Sequence, residues 1–268
     1  MNTGIRSMCI GLALVTASCG GGGNDSAPVV AVSPPPSPPQ SPPDVDFVGG
    51  TWFGTTVNDA TMSTEVVTAM MSGDGRFRLL WLDLGTLDRS DGLMTGNVAI
   101  SESAFTADGL AYAATGTTWS DGSLISTVTI TGTIDRSEGT MTGGWASASG
   151  DSGSFQLHHV DIYWGSDSSP RHIKGVWVAI DTSMNAYAAI TIDGDGSFSG
   201  QDARGCNFTG RFSPIEPRAN MYDVQTTISG CDIAGGYSGL AMRDGWYDVV
   251  YLSIDDNVRA ILALLARS

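Results

Sequence analysis

Three histidines are the side chains of this chain best suited to bind a metal ion or to transfer protons near neutral pH. His158 and His159 are neighbours in a segment predicted to be a β-strand, where successive side chains point to opposite faces. They therefore cannot hold one metal ion together. His172 lies in or beside a polar linker. We predict that the protein has no metal site and no cofactor.

Acidic residues are the other candidates for chemistry, and most of the 28 Asp and Glu residues stand in turn-like contexts. The segment Asp193-Gly194-Asp195-Gly196 begins like a calcium loop, but the twelfth position, which needs a carboxylate, is Arg204. We therefore interpret it as a tight turn. A nucleophile elbow, a P-loop and a His-Glu-x-x-His motif are absent from the sequence. We predict a protein that is not an enzyme, with glycoside hydrolysis by paired carboxylates as the alternative.

The first nineteen residues have the pattern of an export signal. Arg6 supplies a positive charge, and Met8 to Val15 form an apolar run too short to span a bilayer. The small residues Thr16-Ala17-Ser18 before Cys19 resemble the lipobox of bacterial lipoproteins. The resemblance implies cleavage after residue 18 and acylation of Cys19, which anchors the chain in a membrane. In enterobacterial lipoproteins an Asp after the cysteine favours retention in the inner membrane, so by the same resemblance Gly20 implies the outer membrane, on its periplasmic face or at the cell surface. The alternative is an ordinary secretory signal.

Residues 19–46 are predicted to be a disordered tether. Eight of the 11 prolines of the chain lie between Pro28 and Pro43, next to a run of glycines at 20–23. Such a composition buries no core and favours the extended polyproline II conformation. The tether would hold the folded part of the chain away from the lipid.

Two cysteines remain beyond the tether. Cys9 leaves with the signal peptide and Cys19 carries the lipid, so Cys206 and Cys231 form an even pair in an oxidising compartment. Their spacing is not the Cys-x-x-Cys of redox-active pairs. We predict a structural disulfide between Cys206 and Cys231.

The charge of the chain excludes two classes of partner. The formal net charge is −15, from 13 basic and 28 acidic residues, and Lys174 is the only lysine. A nucleic-acid-binding protein needs a basic face, and so does a protein that adsorbs to an anionic membrane surface. We predict no nucleic-acid partner and a membrane contact made through the lipid on Cys19.

The rest of the chain is predicted to be all-β. Thr127 to Ile134 alternate between threonine and mostly apolar residues, which indicates a half-buried strand. We also predict a strand for Val258 to Arg267. Turn signals recur at strand-length intervals, at Asp74-Gly75, Asp91-Gly92, Asp108-Gly109, Asp121-Gly122 and Asp244-Gly245. They separate two groups of eight strands, and we predict two small antiparallel eight-stranded meander barrels in tandem, at 47–164 and 172–268, joined by a linker at 165–171.

An internal repeat supports this organisation. The segments Gly85–Gly96 and Gly132–Gly143 are identical at nine of twelve positions. We predict that each copy is a hairpin, with Asp-Arg-Ser and the acidic-glycine pair in the turn. The alternative places a ligand or ion on Asp88, Asp91, Asp135 and Glu138.

Both groups of strands open with Gly-x-Trp, as Gly50-Thr51-Trp52 and Gly175-Val176-Trp177. This pattern resembles the lipocalin signature, which implies that Trp52 and Trp177 close one end of each barrel. In that family an arginine of the last strand often covers the tryptophan. Arg259 or Arg267 is the candidate in the second barrel, and the first barrel has no arginine near its last strand.

A second resemblance concerns the segment from Asp193 to Ala241, with its DGDGSFSG, GCNFTG, ISGC and GGYSGLA runs. It looks like uncharacterised lipoproteins of Gram-negative bacteria with small β-barrel domains, a family that has no established activity to carry over.

These features predict an outer-membrane-anchored, non-catalytic binding or interaction module, whose partner is an unknown envelope protein or a small ligand. A glycan-acting hydrolase and a purely structural envelope component are the alternatives. Glycines interrupt the predicted strands of the second barrel, so we expect a mostly filled interior and recognition at loops or on the outer face. Trp119, Trp164 and Trp246 are the candidate exposed aromatic residues, and the favoured alternative for each is a place in the core.

Overall fold

The structure is a computed structural model, and it describes residues 49–268 except 84–87, 115, 161–167, 181–185, 216–219 and 245–247; the side chains of 82–91 are also not described. The predicted signal peptide, the predicted lipidation site Cys19 and the predicted tether lie outside the described residues. The described residues contain no helix that is both long enough and apolar enough to cross a membrane.

Barrel 1 is a closed sheet of eight antiparallel strands that follow one another in chain order, with the last paired to the first. Its strands are β1 (Gly50–Asn58), β2 (Thr64–Met71), β3 (Arg76–Asp83), β4 (Asp88–Ser101), β5 (Ala104–Tyr112), β6 (Ile125–Asp135), β7 (Thr140–Ser147) and β8 (Ser152–His159).

Barrel 2 has the same topology and follows a single helical turn, α1 (Pro170–Ile173). Its strands are β9 (Gly175–Ile180), β10 (Ala186–Ile192), β11 (Ser197–Asp202), β12 (Asn207–Pro214), β13 (Met221–Ser229), β14 (Gly235–Asp244), β15 (Val249–Asp255) and β16 (Ala260–Arg267). The predicted all-β architecture of two eight-stranded meander barrels is therefore confirmed. The last strand covers most of the segment from Val258 to Arg267, as predicted.

Alternation along the strands builds the interior of each barrel. In β6, Val128, Ile130 and Ile134 are buried in the core of barrel 1, while the threonines between them are exposed. This is the pattern expected of a sheet with one face toward a core and one toward water.

One predicted turn is wrong. Asp108-Gly109 lies in the middle of β5, where the carboxylate of Asp108 accepts a hydrogen bond from the Thr129 hydroxyl. A Cβ on Gly109 would lie 1.6 Å from the carbonyl oxygen of Thr95 on the neighbouring strand. The glycine is required because two backbones approach closely in a small barrel, and not because the chain turns there.

The two copies of the repeat do not adopt the same structure. The second copy forms the predicted hairpin between β6 and β7, with the carboxylate of Asp135 accepting hydrogen bonds from the backbone of Ser137 (2.9 Å) and Glu138 (3.1 Å). In the first copy, Asp83 pairs with Asp88, so Asp91-Gly92 lies inside β4 rather than in a turn. The prediction of a shared turn is wrong because the ladder between β3 and β4 continues past the point where the second copy turns.

The two barrels pack against each other through their outer faces. A separate apolar cluster lies between them, and both barrels belong to one compact unit. Strand β15 is buried at every residue except the half-buried Leu252, because one face lines barrel 2 and the other contacts barrel 1. The buried members of this cluster are Met70, Leu80, Leu93, Tyr112, Ile180, Met221, Leu240, Met242, Val249, Tyr251 and Leu264.

The barrels point in the same direction. We call the end that carries Trp52 or Trp177 the base of its barrel, and the opposite end the mouth. Thr51, at the base of barrel 1, donates a hydrogen bond to the sulfur of Met242, which lies near the base end of β14. Tyr112 and Asp255 are the last residues of β5 and β15 at the mouth end, and they are hydrogen-bonded at 3.1 Å. Both mouths therefore lie on the side opposite to Gly50, where the chain enters barrel 1.

Candidate functional site

The base of barrel 2 is closed by Trp177, which is fully buried. Its indole nitrogen donates a hydrogen bond of 2.6 Å to the carbonyl of Ile173 in α1. The guanidinium carbon of Arg267 lies 4.5 Å from the centroid of the indole ring, a cation–π geometry. Gly175 has a φ of 137°, a left-handed conformation that favours glycine at the first position of the Gly-x-Trp motif.

Arg267, and not Arg259, is therefore the arginine that covers Trp177. It also pairs with Asp248 at 2.6 Å, and it donates hydrogen bonds to the carbonyls of Lys174 and His172. Because both neighbouring arginines Arg243 and Arg267 face Asp248, hydrogen bonds and charge lower the pKa of that carboxyl, against the opposing effect of burial.

The base of barrel 1 uses a histidine in the same position. Trp52 is register-paired with His159 on β8, as Trp177 is with Arg267 on β16. The rings of Trp52 and His159 meet edge to face, with centroids 5.0 Å apart. Gly50 again has a left-handed φ, of 123°. The search for an arginine in the sequence did not identify His159. Its place at the end of the last strand, opposite Trp52 of the first strand, is the signal that could have identified it.

His158 and His159 point to opposite faces of β8, as the alternation predicted: His158 is exposed, whereas His159 is half-buried against Trp52. His172 is exposed in α1. Among the described residues, the one group of three possible metal ligands is Cys206, Cys231 and Asp232. Its two sulfurs are already bonded to each other, so it offers no thiolate to a metal.

The mouth of barrel 1 is plugged by Trp119. Of the two interpretations of Trp119, exposed or core, the structure favours the core: the half-buried Trp119 packs edge to face on Trp145 with centroids 6.2 Å apart. Its indole nitrogen donates to the carbonyl of Ala111 at 3.2 Å. Asp151 holds the same loop by accepting hydrogen bonds from the backbone and the hydroxyl of Ser120. Trp164 and Trp246 lie outside the described residues.

The mouth of barrel 2 is held by a disulfide and an arginine. The predicted bond between Cys206 and Cys231 is present, and it joins the turn after β11 to the turn after β13. Arg259 donates to the carbonyls of Asp232 and Ala234, and pairs with Asp256 at 2.8 Å. These contacts fix three neighbouring segments of the rim.

Removing the disulfide by Cys206→Ala with Cys231→Ala is expected to lower the free energy of unfolding by about 3 kcal/mol, because the bond closes a loop of 25 residues in the unfolded chain. Urea unfolding of both proteins, with and without a thiol reductant, measures the effect. The reductant must destabilise only the parent protein; an equal effect on both would contradict the assignment.

An apolar cavity of about 70 Å³ lies inside barrel 2 toward its mouth. One wall consists of three alanines on adjacent strands, Ala263 on β16, Ala179 on β9 and Ala188 on β10. These small side chains leave a volume that larger residues would fill. The aromatic side chains Phe198, Phe208 and Phe212 lie on other strands around the same cavity.

A β-bulge places Tyr187 at this cavity. The register between β9 and β10 shifts between Ala186 and Ala188, so Tyr187 is the extra residue. Tyr187 lines the cavity and remains 37 % exposed. Bulges redirect side chains and are common beside functional sites.

The lining of the cavity is almost free of polar groups. Two lining residues carry hydroxyls: that of Thr226 donates to the backbone carbonyl of Thr209 at 3.0 Å, and Tyr187 is partly exposed to solvent. A charged or strongly polar group would lose its hydration here without gaining a partner. The cavity therefore suits an apolar group.

A second concavity, of about 550 Å³, lies on the outer face of barrel 2 across β12, β13 and β14. Its charged side chains are engaged within the protein: Arg211 pairs with Asp195 at 2.9 Å, and Asp256 with Arg259. Asp195 also accepts hydrogen bonds from the Ser197 hydroxyl and backbone, which lower the pKa of its carboxyl. The segment Asp193-Gly194-Asp195-Gly196 is thus the predicted tight turn.

Arg78, Asp255 and Tyr112 form a buried polar cluster between the barrels. Arg78 pairs with Asp255 at 2.5 Å, and their side chains are 13 % and 8 % exposed. Burial lowers the pKa of Arg78, against the opposing effect of Asp255. Burial and the nearby carboxylate raise the pKa of Tyr112 well above its usual value, so the phenol stays protonated and donates to Asp255. The cluster joins the two barrels.

No family model, no curated protein and no solved structure matches this chain.

Proposed function

We propose that the protein is a non-catalytic binding module, anchored to the bacterial outer membrane by a lipid on Cys19. The small residues before Cys19 and the proline-rich tether at 19–46 support the anchor and the spacer. A small apolar ligand group is the partner that the chemistry of barrel 2 favours.

The observation that carries the binding function is the difference between the two mouths. In barrel 1, Trp119 fills the mouth and packs on the core. In barrel 2, alanines at Ala179, Ala188 and Ala263 leave an apolar cavity beside the partly exposed Tyr187. Among the described residues, a tryptophan covers the core at the mouth of barrel 1, whereas small side chains leave a cavity toward the mouth of barrel 2. Apolar cavities with a rigid lining are typical of sites for small apolar molecules.

The charge and the position of the mouth agree with this function. The net charge of −15 disfavours adsorption of the folded part to an anionic lipid surface. The mouth of barrel 2 lies on the side opposite to Gly50, where the described chain enters barrel 1, so this point of entry does not obstruct the cavity.

The anchor is tested by Cys19→Ala. The parent protein is expected in the outer-membrane fraction, with an N-terminus at an acylated Cys19, whereas the variant is expected in the soluble envelope fraction. Cell fractionation and intact-protein mass spectrometry measure both. Cys9→Ala is the matched control, since Cys9 precedes the cleavage position and its loss should change neither result. Recovery of a parent protein with an unmodified Cys19 and an intact leader would contradict the proposed anchor.

A further inference from the structure

We propose that the cavity of barrel 2 takes the end of one unbranched alkyl chain, while the rest of the ligand stays outside the mouth. This inference rests on the proposed binding function and names the ligand group that the site selects. A cavity of about 70 Å³ is about half the size of an engineered cavity that holds benzene. It has room for about three methylene groups, and not for a ring or a branched group.

The depth of the site is set by residues below it. Ile192 and Trp177 are fully buried and fill the barrel between the cavity and its base. The alanine wall of Ala179, Ala188 and Ala263 ends at that level, because Leu265 follows Ala263 on the inner face of β16. A chain end that enters from the mouth therefore stops after a short distance.

The route of access is apolar as well. Tyr187, Phe208, Leu252 and Ile261 line the cavity and are each only partly buried. A chain end that passes between them buries methylene groups along its whole path. The polar remainder of the ligand keeps its hydration outside.

The described turns of the rim, outside residues 181–185, are cross-linked, and a rim held in this way favours thin groups. The turn after β13 is held by the disulfide at Cys231, and the Tyr237 hydroxyl donates to the carbonyl of Ile233 at 2.8 Å. Arg259 adds hydrogen bonds to the carbonyls of Asp232 and Ala234 in the same turn. A rigid rim favours a ligand that fits without rearrangement.

The test uses n-alkan-1-ols of increasing length as probes and residues 19–268 carrying Cys19→Ser as the protein. This chain keeps the whole compact unit of the two barrels and needs no detergent, which would itself compete for the site. Isoleucine methyl signals report binding in nuclear magnetic resonance spectra. Ile190, Ile228, Ile254 and Ile261 line the cavity, whereas Ile130 and Ile134 lie in barrel 1 and serve as internal controls.

The affinity is expected to rise about four-fold for each of about the first three methylene groups and then to level off. Only the methyl signals of barrel 2 should shift. Phenol is the comparison probe, and it should bind more weakly than the alkanols at the plateau. An affinity that keeps rising with chain length, or tighter binding of phenol, would overturn the chain-end proposal and leave the binding function standing. The absence of any shift at the four cavity isoleucines with alkanols and with phenol would overturn both.

A pair of neighbouring alanines supplies the matched variants. Ala188 points into the cavity, while Ala189 is exposed on the outer face of the same strand. Ala188→Leu should fill the cavity and lower alkanol affinity at least ten-fold, and Ala189→Leu should leave it unchanged. Equal affinities of the two variants would overturn the assignment of the site. Circular dichroism and the unshifted barrel 1 methyl signals verify that both variants are folded.

Discussion

Asp255→Ala is expected to lower the free energy of unfolding by about 3–5 kcal/mol. The substitution leaves the guanidinium of Arg78 between the barrels without its counter-charge, and the phenol of Tyr112 without its acceptor. An isolated charge in an apolar interface is strongly destabilising, because its hydration is lost and no partner replaces it. Urea unfolding followed by tryptophan fluorescence measures the change.

Two control variants test whether the destabilisation comes from an unpaired buried charge and not merely from the loss of an ion pair. Asp195→Ala breaks the exposed pair with Arg211, in which both side chains are more than half exposed, and should cost less than about 1 kcal/mol. Arg78→Met combined with Asp255→Leu replaces the buried pair by apolar side chains and should be clearly more stable than Asp255→Ala alone. A cost for Asp255→Ala no larger than that of Asp195→Ala would show that the barrels are not joined through a buried charge cluster.

Trp177→Ala is expected to destabilise the protein by about 3–5 kcal/mol, since it empties the base of barrel 2. The indole is fully buried, it donates to Ile173, and Arg267 stacks on it. Thermal and urea unfolding measure the loss. Because the barrels share a buried cluster, we expect one cooperative transition rather than the separate melting of barrel 2.

Val176→Ala is the matched control for Trp177→Ala. Val176 is the neighbour on the same strand, and its side chain is exposed on the outer face. Its substitution should change the free energy of unfolding by no more than about 0.5 kcal/mol. Similar costs for the two variants would contradict the role of Trp177 in closing the barrel.

The fold could be predicted because its signals are local. Alternation in β6 and the Asp121-Gly122 and Asp193-Gly194-Asp195-Gly196 turns depend on neighbours along the chain. Asp91-Gly92 and Asp108-Gly109 carry the same local signal but lie inside strands. These two glycines are required because a neighbouring group lies too close for a side chain. A Cβ on Gly109 would clash with the carbonyl oxygen of Thr95, and a Cβ on Gly92 with the ring of Trp81. A sequence pattern does not distinguish a glycine that is needed at a turn from a glycine that allows two strands, or a strand and a ring, to approach closely.

The sequence contains a weaker signal for the contact between the barrels than for the strands and turns. Strands β3 and β15 contain runs of large apolar residues with no clean alternation, which is typical of strands buried on both faces. Such a run does not say what covers the second face. The pairing of Arg78 with Asp255, across 177 positions of sequence, follows from the way the barrels dock and has no local pattern.

The candidate site was predicted only in part. The disulfide between Cys206 and Cys231 followed from counting cysteines, and the Gly-x-Trp motifs marked both bases. The choice of Arg267 over Arg259 depends on the register of β16 with β9, and the bulge at Tyr187 depends on a register shift. The cavity itself arises from three alanines on three strands, which are ordinary residues when each is seen alone in the sequence.

A crystal structure of residues 19–268 carrying Cys19→Ser under xenon pressure tests the binding site most directly, because xenon occupies dry apolar cavities of this kind. We predict a xenon atom inside barrel 2, in contact with Ala188 and Phe208, and its loss from crystals of Ala188→Leu. An interior of barrel 2 that remains without xenon, with side chains closed over the space between the alanines, would contradict the account.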